Sequence, residues 1–311
     1  SNEAKKITQN LLSSKSRAIF LGHQILHLDD GDNIKLIAMH IAQAIEATFG
    51  LIPGYANSVG LNELNLNSDN ISTDKILSQK KEAHIMMNFD PFYDYHSPKK
   101  INAALKNAKF NLAISPYISD SFKGFDVVLP MTPFTETSGT YINMEKRIQS
   151  FSAVTPPFGQ SRPGWKILRV LANFLQLEGF LYDSSEEVKA DAMIEFDKKN
   201  EDNLKVFKPS KIRSGLEILN LIKANDSDMI VRRAASLHKN KDQSCCLINP
   251  TTMLKEGLID GQKIRISSSE AEVLINVKAD ENVCLDAVAI FGKKDETAFL
   301  GMDNKVKIKK A

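Results

Sequence analysis

Cysteine is almost missing from these 311 residues: Cys245, Cys246 and Cys284 are the only three. The common iron–sulfur clusters need about four thiolates at suitable spacing, so this stretch cannot supply such a set. No C-x-x-C occurs and adjacent cysteines rarely bridge each other, so the three read as free thiols of a reducing compartment. Charge of one sign is missing too. Forty Lys and Arg stand against 38 Asp and Glu, a net +2, and the charges are interspersed. That gives no case for nucleic acid or an anionic membrane surface. No apolar run reaches the roughly 18 to 20 residues that cross a bilayer, so no direct membrane insertion is expected. Finally, there is no G-x-G-x-x-G and no P-loop, so a phosphate-bearing cofactor would lack its usual glycine cradle.

What is present is ordinary for a globular chain, with 42% hydrophobic and 25% charged residues, and long enough for two domains. Ser1-Asn2, with no methionine ahead, reads as a cleavage scar, and the sequence is expected to be a piece of something longer. Short apolar runs alternate with helical stretches: strands at 17–22, 83–89, 109–114 and 126–129, and helices at 3–12, 33–49, 73–81 and 98–107. Such alternation implies βαβ units and a parallel sheet. The helix at 33–49 carries an apolar stripe of Ile34, Ile37, Ala38, Ile41, Ala42 and Ile45, with Gly50 as its stop. Residues 53–60 read as a loop. Val127-Val128-Leu129, ended by Pro130, reads as a strand buried on both faces. If 141–149 is extended, Asn143, Glu145, Arg147 and Gln149 share one face. Further helices are expected from Gly164, with Trp165, Leu168 and Leu171 on the apolar face, from the Ser184/Glu187 capping box, and over Leu216, Leu219 and Ile222. After a linker at 239–243 the pattern turns to β, with clean alternation at 263–267 and 271–277. The division expected is 1–238, an α/β region, and 239–311, a small β domain.

Four stretches carry a family resemblance. Asp126 to Pro130, Phe134-Thr135-Glu136, Gly139-Thr140-Tyr141, Asn143, Glu145, Arg147 and Gln149 form the first, and Lys146 stands where the family has glycine. Ala56-Asn57-Ser58-Val59-Gly60, Arg162 to Arg169 and Val231-Arg232-Arg233-Ala234 form the others, with His238 at a position where glutamine is usual. Together they resemble the molybdopterin-oxidoreductase-like part of the large iron–sulfur subunit (75-kDa type, the G subunit) of bacterial NADH:quinone oxidoreductase, respiratory complex I. Asn249-Pro250 and Gly257 to Gly261 resemble the double-psi barrel that closes molybdopterin enzymes. The fold implied is α/β: a Rossmann-like parallel sheet with helices on both faces, followed by a double-psi-type β-barrel.

The resemblance implies a parent complex that passes electrons from NADH to quinone with proton translocation. Its iron–sulfur clusters lie in an N-terminal part outside this sequence. Its partners are the other hydrophilic-arm subunits, and its place is the cytoplasmic side of the bacterial inner membrane. For the present residues it implies a structural part without redox centres, so no catalytic, cofactor-binding or metal residue is assigned. Two alternatives stand beside it. One is an active molybdopterin oxidoreductase with Asp126, Ser138 or another oxygen at the metal. The other is a nucleotide or small-molecule binder using the crevice at the strand ends: Gly22-His23, Asn88 to Asp90, Ser115-Pro116 and Pro130 to Glu136. His23 and His27, four apart, could hold a metal on a helix, but their flanks read as loop. Arg232 and Arg233 are suited to carboxylates of a partner or a neighbouring domain, and a solvated surface pair is an equal alternative.

Overall fold

Short strands and helices alternate along much of the chain. The computed structural model describes residues 2–23, 25, 30–64, 73–95, 97–196, 215–221, 223–238, 245–291, 295–300 and 305–310. In order, the elements are α1 (Asn2–Ser13), β1 (Ala18–Leu21), α2 (Gly31–Ala44), β2 (Thr48–Leu51), α3 (Ser58–Glu63), α4 (Thr73–Ser78), β3 (Ala83–Met87), α5 (Pro98–Asn107), β4 (Phe110–Ser115), β5 (Val127–Pro130), β6 (Gly139–Ile142), β7 (Ile148–Phe151), α6 (Gly164–Phe174), α7 (Ser185–Phe196), β8 (Glu217–Leu221), β9 (Cys245–Ile248), α8 (Pro250–Lys255), β10 (Lys263–Ser267), β11 (Glu272–Ala279), β12 (Ala287–Phe291) and β13 (Lys307–Lys310). This is a mixed α/β protein with parallel sheets and one mixed six-stranded sheet. It divides into two compact units. Unit one is Ser1–Ser72, Phe134–Pro156 and Ala172–Ile212; unit two is Thr73–Pro133, Pro157–Leu171 and Arg213–Ala311. The parallel strands make two ladders, β1–β2 in unit one and β3–β4–β5 in unit two, where the sequence reading expected one sheet.

In unit one, α2 ends at Ala44 and Glu46 turns the chain at φ 53°. Thr48 to Leu51 then pair with β1, so the expected helix to Phe49 is too long. Ladder formation with a strand about 30 residues earlier overrides a local helical period. Only part of the expected stripe is covered. Ala38 and Ala42 are buried with Leu36, while Ile37 and Ile41 stay exposed, because a two-stranded ladder offers little surface. The last residues of the 53–60 loop open α3. Residues 141–149 are not one strand but a hairpin of β6 and β7. Its turn is built on Asn143: the side-chain Oδ1 accepts from the backbone N–H of Glu145 (3.0 Å) and of Arg147 (2.9 Å). An asparagine side chain is suited to that local role. Glu145 and Arg147 therefore flank a turn, pairing at 3.6 Å with both side chains exposed. At α7 half of the expected capping box forms: the Glu187 N–H donates to Ser184 Oγ at 3.2 Å, while the Glu187 carboxylate reaches one residue further back and accepts from the Asp183 N–H at 2.8 Å.

In unit two, β4 is the central strand, buried from Asn111 to Ser115. Ser97 caps α5 by accepting from the Lys100 N–H at 3.2 Å, and Pro98 occupies the first turn, where its missing N–H costs nothing. The face of α5 buries Ile101, Ala104 and Leu105, each large side chain contributing roughly 1.5–3 kcal/mol. Ile167, Leu168 and Leu171 of α6 pack on Leu112, Ile114 and Met131. Gly164 begins that helix where a Cβ would lie 2.8 Å from Met87 Cε and 2.9 Å from Met131 Sδ, and Trp165 beside it is half-buried. β5 is an edge, with Val127 exposed, not the doubly buried strand expected. Pro130 is compatible with that position because an edge strand need not donate outward.

The six-stranded sheet runs β13–β10–β11–β9–β12–β8. Ile248, Ile264, Ile266, Val288 and Ile290 fill its core. Its two outer strands meet at one point: Glu217 bridges Lys305, and the Val306 N–H donates to the Leu216 carbonyl at 3.3 Å. β8 replaces the helix expected over 216–222. Its partner β12 lies about 70 residues away in parallel register, and five residues of local pattern cannot reveal that pairing. Ile222 and the linker at 239–243 lie outside the described residues.

Two of these packings have measurable consequences. His84 on β3 is buried, and desolvation, partly opposed by a hydrogen bond to the Ala104 backbone, lowers its pKa below 6.5. The neutral ring is the folded form, so its contribution is complete above the unfolded value of 6.5 and is lost as pH falls below it. Denaturation followed by Trp165 fluorescence should show stability dropping from pH 7 to 5.5, with a shallower drop in His84→Leu. Lys146 holds the hairpin turn at φ 60° and pairs with Glu63 at 2.8 Å. A left-handed conformation costs a non-glycine residue about 1 kcal/mol, so Lys146→Gly should melt higher than Lys146→Ala, by circular dichroism.

Candidate functional site

Ligands of parallel α/β sheets meet the carboxyl ends of the strands. In unit two those ends are Asn88 to Asp90 after β3 and Ser115 to Ser121 after β4. Asn88 leaves β3 at φ 50°, and Asp90 follows with 1% of its surface exposed. Its Oδ1 accepts from Ser121 Oγ at 2.6 Å and its Oδ2 from Ser119 Oγ at 3.4 Å. Asp94 turns back so that its Oδ2 accepts from the Asp90 N–H at 2.8 Å.

Both carboxylates face the arginine pair of the sequence. Arg232 Nη2 donates to Asp94 Oδ1 at 2.8 Å, and Arg233 Nη2 lies 3.5 Å from Asp90 Oδ2. Each guanidinium also lies over a tyrosine ring: Arg232 over Tyr93 at 5.1 Å and Arg233 over Tyr117 at 5.0 Å. The Arg232 side chain is only 8% exposed. A charge this deeply buried is stable only when paired, and the flat guanidinium is suited to carboxylate and aromatic face together. The arginines thus serve carboxylates of their own unit. Sequence reasoning placed Asp90 at a strand end lining the crevice without matching it to the arginines, and it did not name Asp94. Asp90-Pro91 looked like a strand breaker, and the visible signal was only that an acidic residue ended a strand.

The other candidates are held elsewhere. Asp126 lies ahead of β5, at the amino end of the sheet, and its Oδ2 accepts from the Asn111 N–H at 2.7 Å. Ser138 Oγ shares a hydrogen bond with Ser185 Oγ at 2.8 Å. His23 sets its ring edge-on to Tyr55 at 5.3 Å, and His27 lies outside the described residues. Cys246 is buried in the six-stranded core, where burial first and Cys245 second push its thiol pKa up. Among the described residues no three His, Cys, Asp or Glu side chains converge as a metal site.

Two of the resemblance stretches come together in unit one. Asn57 Oδ1 accepts from the Ile142 N–H of β6 at 3.0 Å. A Cβ on Gly60 would lie 2.3 Å from that oxygen, so glycine there leaves room for the amide to reach the hairpin. The Lys146–Glu63 pair ties the same two elements.

The molybdopterin oxidoreductase family profile matches residues 2–174, more than half of the chain, and the chain belongs to that family. Among curated proteins it is 25% identical over 190 residues to the NADH-ubiquinone oxidoreductase 75 kDa subunit of Reclinomonas americana, covering 58% of this chain and 26% of the relative. It is 29% identical over 163 residues to the NADH-quinone oxidoreductase G subunit of Shewanella oneidensis, covering 49% of this chain and 18% of the relative. The chain therefore spans about a quarter or less of the length of these relatives. Acetylene hydratase from Pelobacter acetylenicus shares the fold, with a TM-score of 0.55 at 14% identity over 73% of this chain and 41% of that one.

The family name implies a molybdopterin, and the oxygens weighed as its metal ligands do not fit that part. Asp126 is at the wrong end of its sheet and Ser138 is hydrogen-bonded to Ser185; Asp90, which was not among them, has its carboxylate met by two hydroxyls and a guanidinium. Removing one member of a buried ion pair costs roughly 3–5 kcal/mol, whereas an exposed pair contributes about 0–1 kcal/mol. Asp90→Ala should therefore lower the denaturation midpoint read by Trp165 fluorescence far more than Arg147→Ala does.

Proposed function

We propose that this chain is a structural and assembly part of an NADH:quinone oxidoreductase iron–sulfur subunit, without redox centres of its own. The observation that supports it most is the filling of the β3 and β4 strand ends by the chain's own Arg232 and Arg233, locked to Asp94 and Asp90. A substrate or cofactor entering that end would have to displace two ion pairs. The relatives named as 75 kDa and G subunits support the same reading. In it, the parent complex transfers electrons from NADH to quinone with proton translocation, on clusters carried by other residues. The six-stranded sheet is a double-psi-type barrel retained as packing. The chain docks against hydrophilic-arm subunits on the cytoplasmic side of the membrane and reaches the membrane only through them; no described helix is long and apolar enough to cross one.

Elemental analysis and pterin fluorescence on the purified chain test this. The expected result is no stoichiometric molybdenum or tungsten and no pterin released on denaturation. Stoichiometric metal with pterin would overturn the reading in favour of an active oxidoreductase. Tight binding of guanine or pterin nucleotides in equilibrium dialysis, without metal, would overturn it in favour of a nucleotide binder.

A further inference from the structure

The segment 223–238 crosses the strand ends without joining a sheet there. Its backbone bonds close on themselves: the Asp226 N–H donates to Lys223, Arg232 to Asp228, Arg233 to Ile230, Ala234 to Val231 and Leu237 to Ala234. Asp228 Oδ1 accepts from the N–H groups of Ile230 (2.7 Å) and Val231 (3.0 Å), and Arg233 Nη1 donates to the Met229 carbonyl at 2.9 Å. Its ties to the α/β body are made by side chains: Arg232 to Asp94, Arg233 to Asp90, each arginine over its tyrosine, and Ser115 Oγ 3.7 Å from Met229 Sδ. The segment is thus folded within itself and held to its neighbours by the two guanidinium groups together with the buried Met229 and with Lys223, whose Nζ lies over the Phe291 ring of β12 at 4.7 Å.

We propose that the ends of β3 and β4 form a guanidinium-binding site, and that 223–238 is a strap occupying it as a ligand in cis. Asp90, Asp94, Tyr93 and Tyr117 are its reading groups, two carboxylates and two aromatic faces arranged as two pairs. The ligand class is an arginine-bearing peptide. A lysine ammonium carries the same charge but lacks the planar donors and matches a ring face less well. The strap lifts as a unit, below the energy of unfolding the sheet, because locally bonded segments open as independent cooperative pieces. This deepens the structural reading of the strand ends and rests on their being filled by the chain itself.

Hydrogen exchange by mass spectrometry on the 311-residue chain tests it. In the unaltered protein the strap peptides should exchange at least about tenfold faster than those of β4. An added capped Arg-Arg dipeptide at tens of millimolar should speed strap exchange several-fold further, because a tethered ligand competes at an effective concentration on the order of millimolar. A capped Lys-Lys dipeptide at the same ionic strength should not. The R232K/R233K variant should raise strap exchange about tenfold or more while β4 is unchanged. Equal effects of the two dipeptides, or no effect of either, would overturn the guanidinium site. Strap exchange that tracks β4 throughout would overturn the independent strap. These outcomes do not depend on whether the chain carries metal, so failure here and failure of the functional reading are told apart.

Discussion

The Asp90 carboxylate is the constraint on which unit two is arranged. A carboxylate with almost no exposed surface at the end of a strand is tolerated only if its oxygens are met by donors. Ser121 and Ser119 come from the loop after β4 and Arg233 from more than 140 residues further on. Satisfying one charge therefore fixes the path of two loops. Asp94 extends the arrangement by accepting the Asp90 N–H while receiving Arg232. A few residues on, Ser97 both caps α5 and donates to Glu270 of the β10–β11 turn at 2.7 Å. Residues 90–97 thus connect the parallel sheet, the segment 223–238 and the six-stranded sheet inside one unit.

The sequence made some of this plain. Helix α5 follows from a helical stretch opened by Pro98, and β4, β10 and β11 follow from short apolar or alternating runs, since these signals are local. The family was legible from its spaced motifs, and carboxylate binding by the arginine pair was one of two readings, the other being a solvated pair. The acidic partners were not legible, because nothing near Asp90 or Asp94 in sequence announces a guanidinium from residues 232 and 233. The misread elements share that cause. β2, β8 and the β6–β7 hairpin are decided by pairing or by one asparagine side chain, and the local period at each point also fits another structure.

Lys146 shows how a departure from a family pattern can be absorbed. The turn it occupies needs a left-handed backbone, which glycine adopts freely and lysine does not. The hairpin forms nonetheless, because Asn143 holds two backbone N–H groups and Glu63 meets the ammonium. Two modest local gains are comparable in size to the conformational cost, and the architecture around Asn57 and Gly60 is retained.

The meeting of β8 with the residues just ahead of β13 has a consequence for how this protein can associate. A sheet whose outermost strands find each other has less free main chain to offer, so a neighbour must address it through side-chain surface and shape. The three-stranded ladder is closed in part as well: at the end of β5 the Arg162 backbone bridges Met131, its N–H donating to the Pro130 carbonyl at 3.2 Å and its carbonyl accepting from the Thr132 N–H at 3.0 Å. Recognition by a neighbour then falls to exposed side chains such as Ile85, Met87 and Val127.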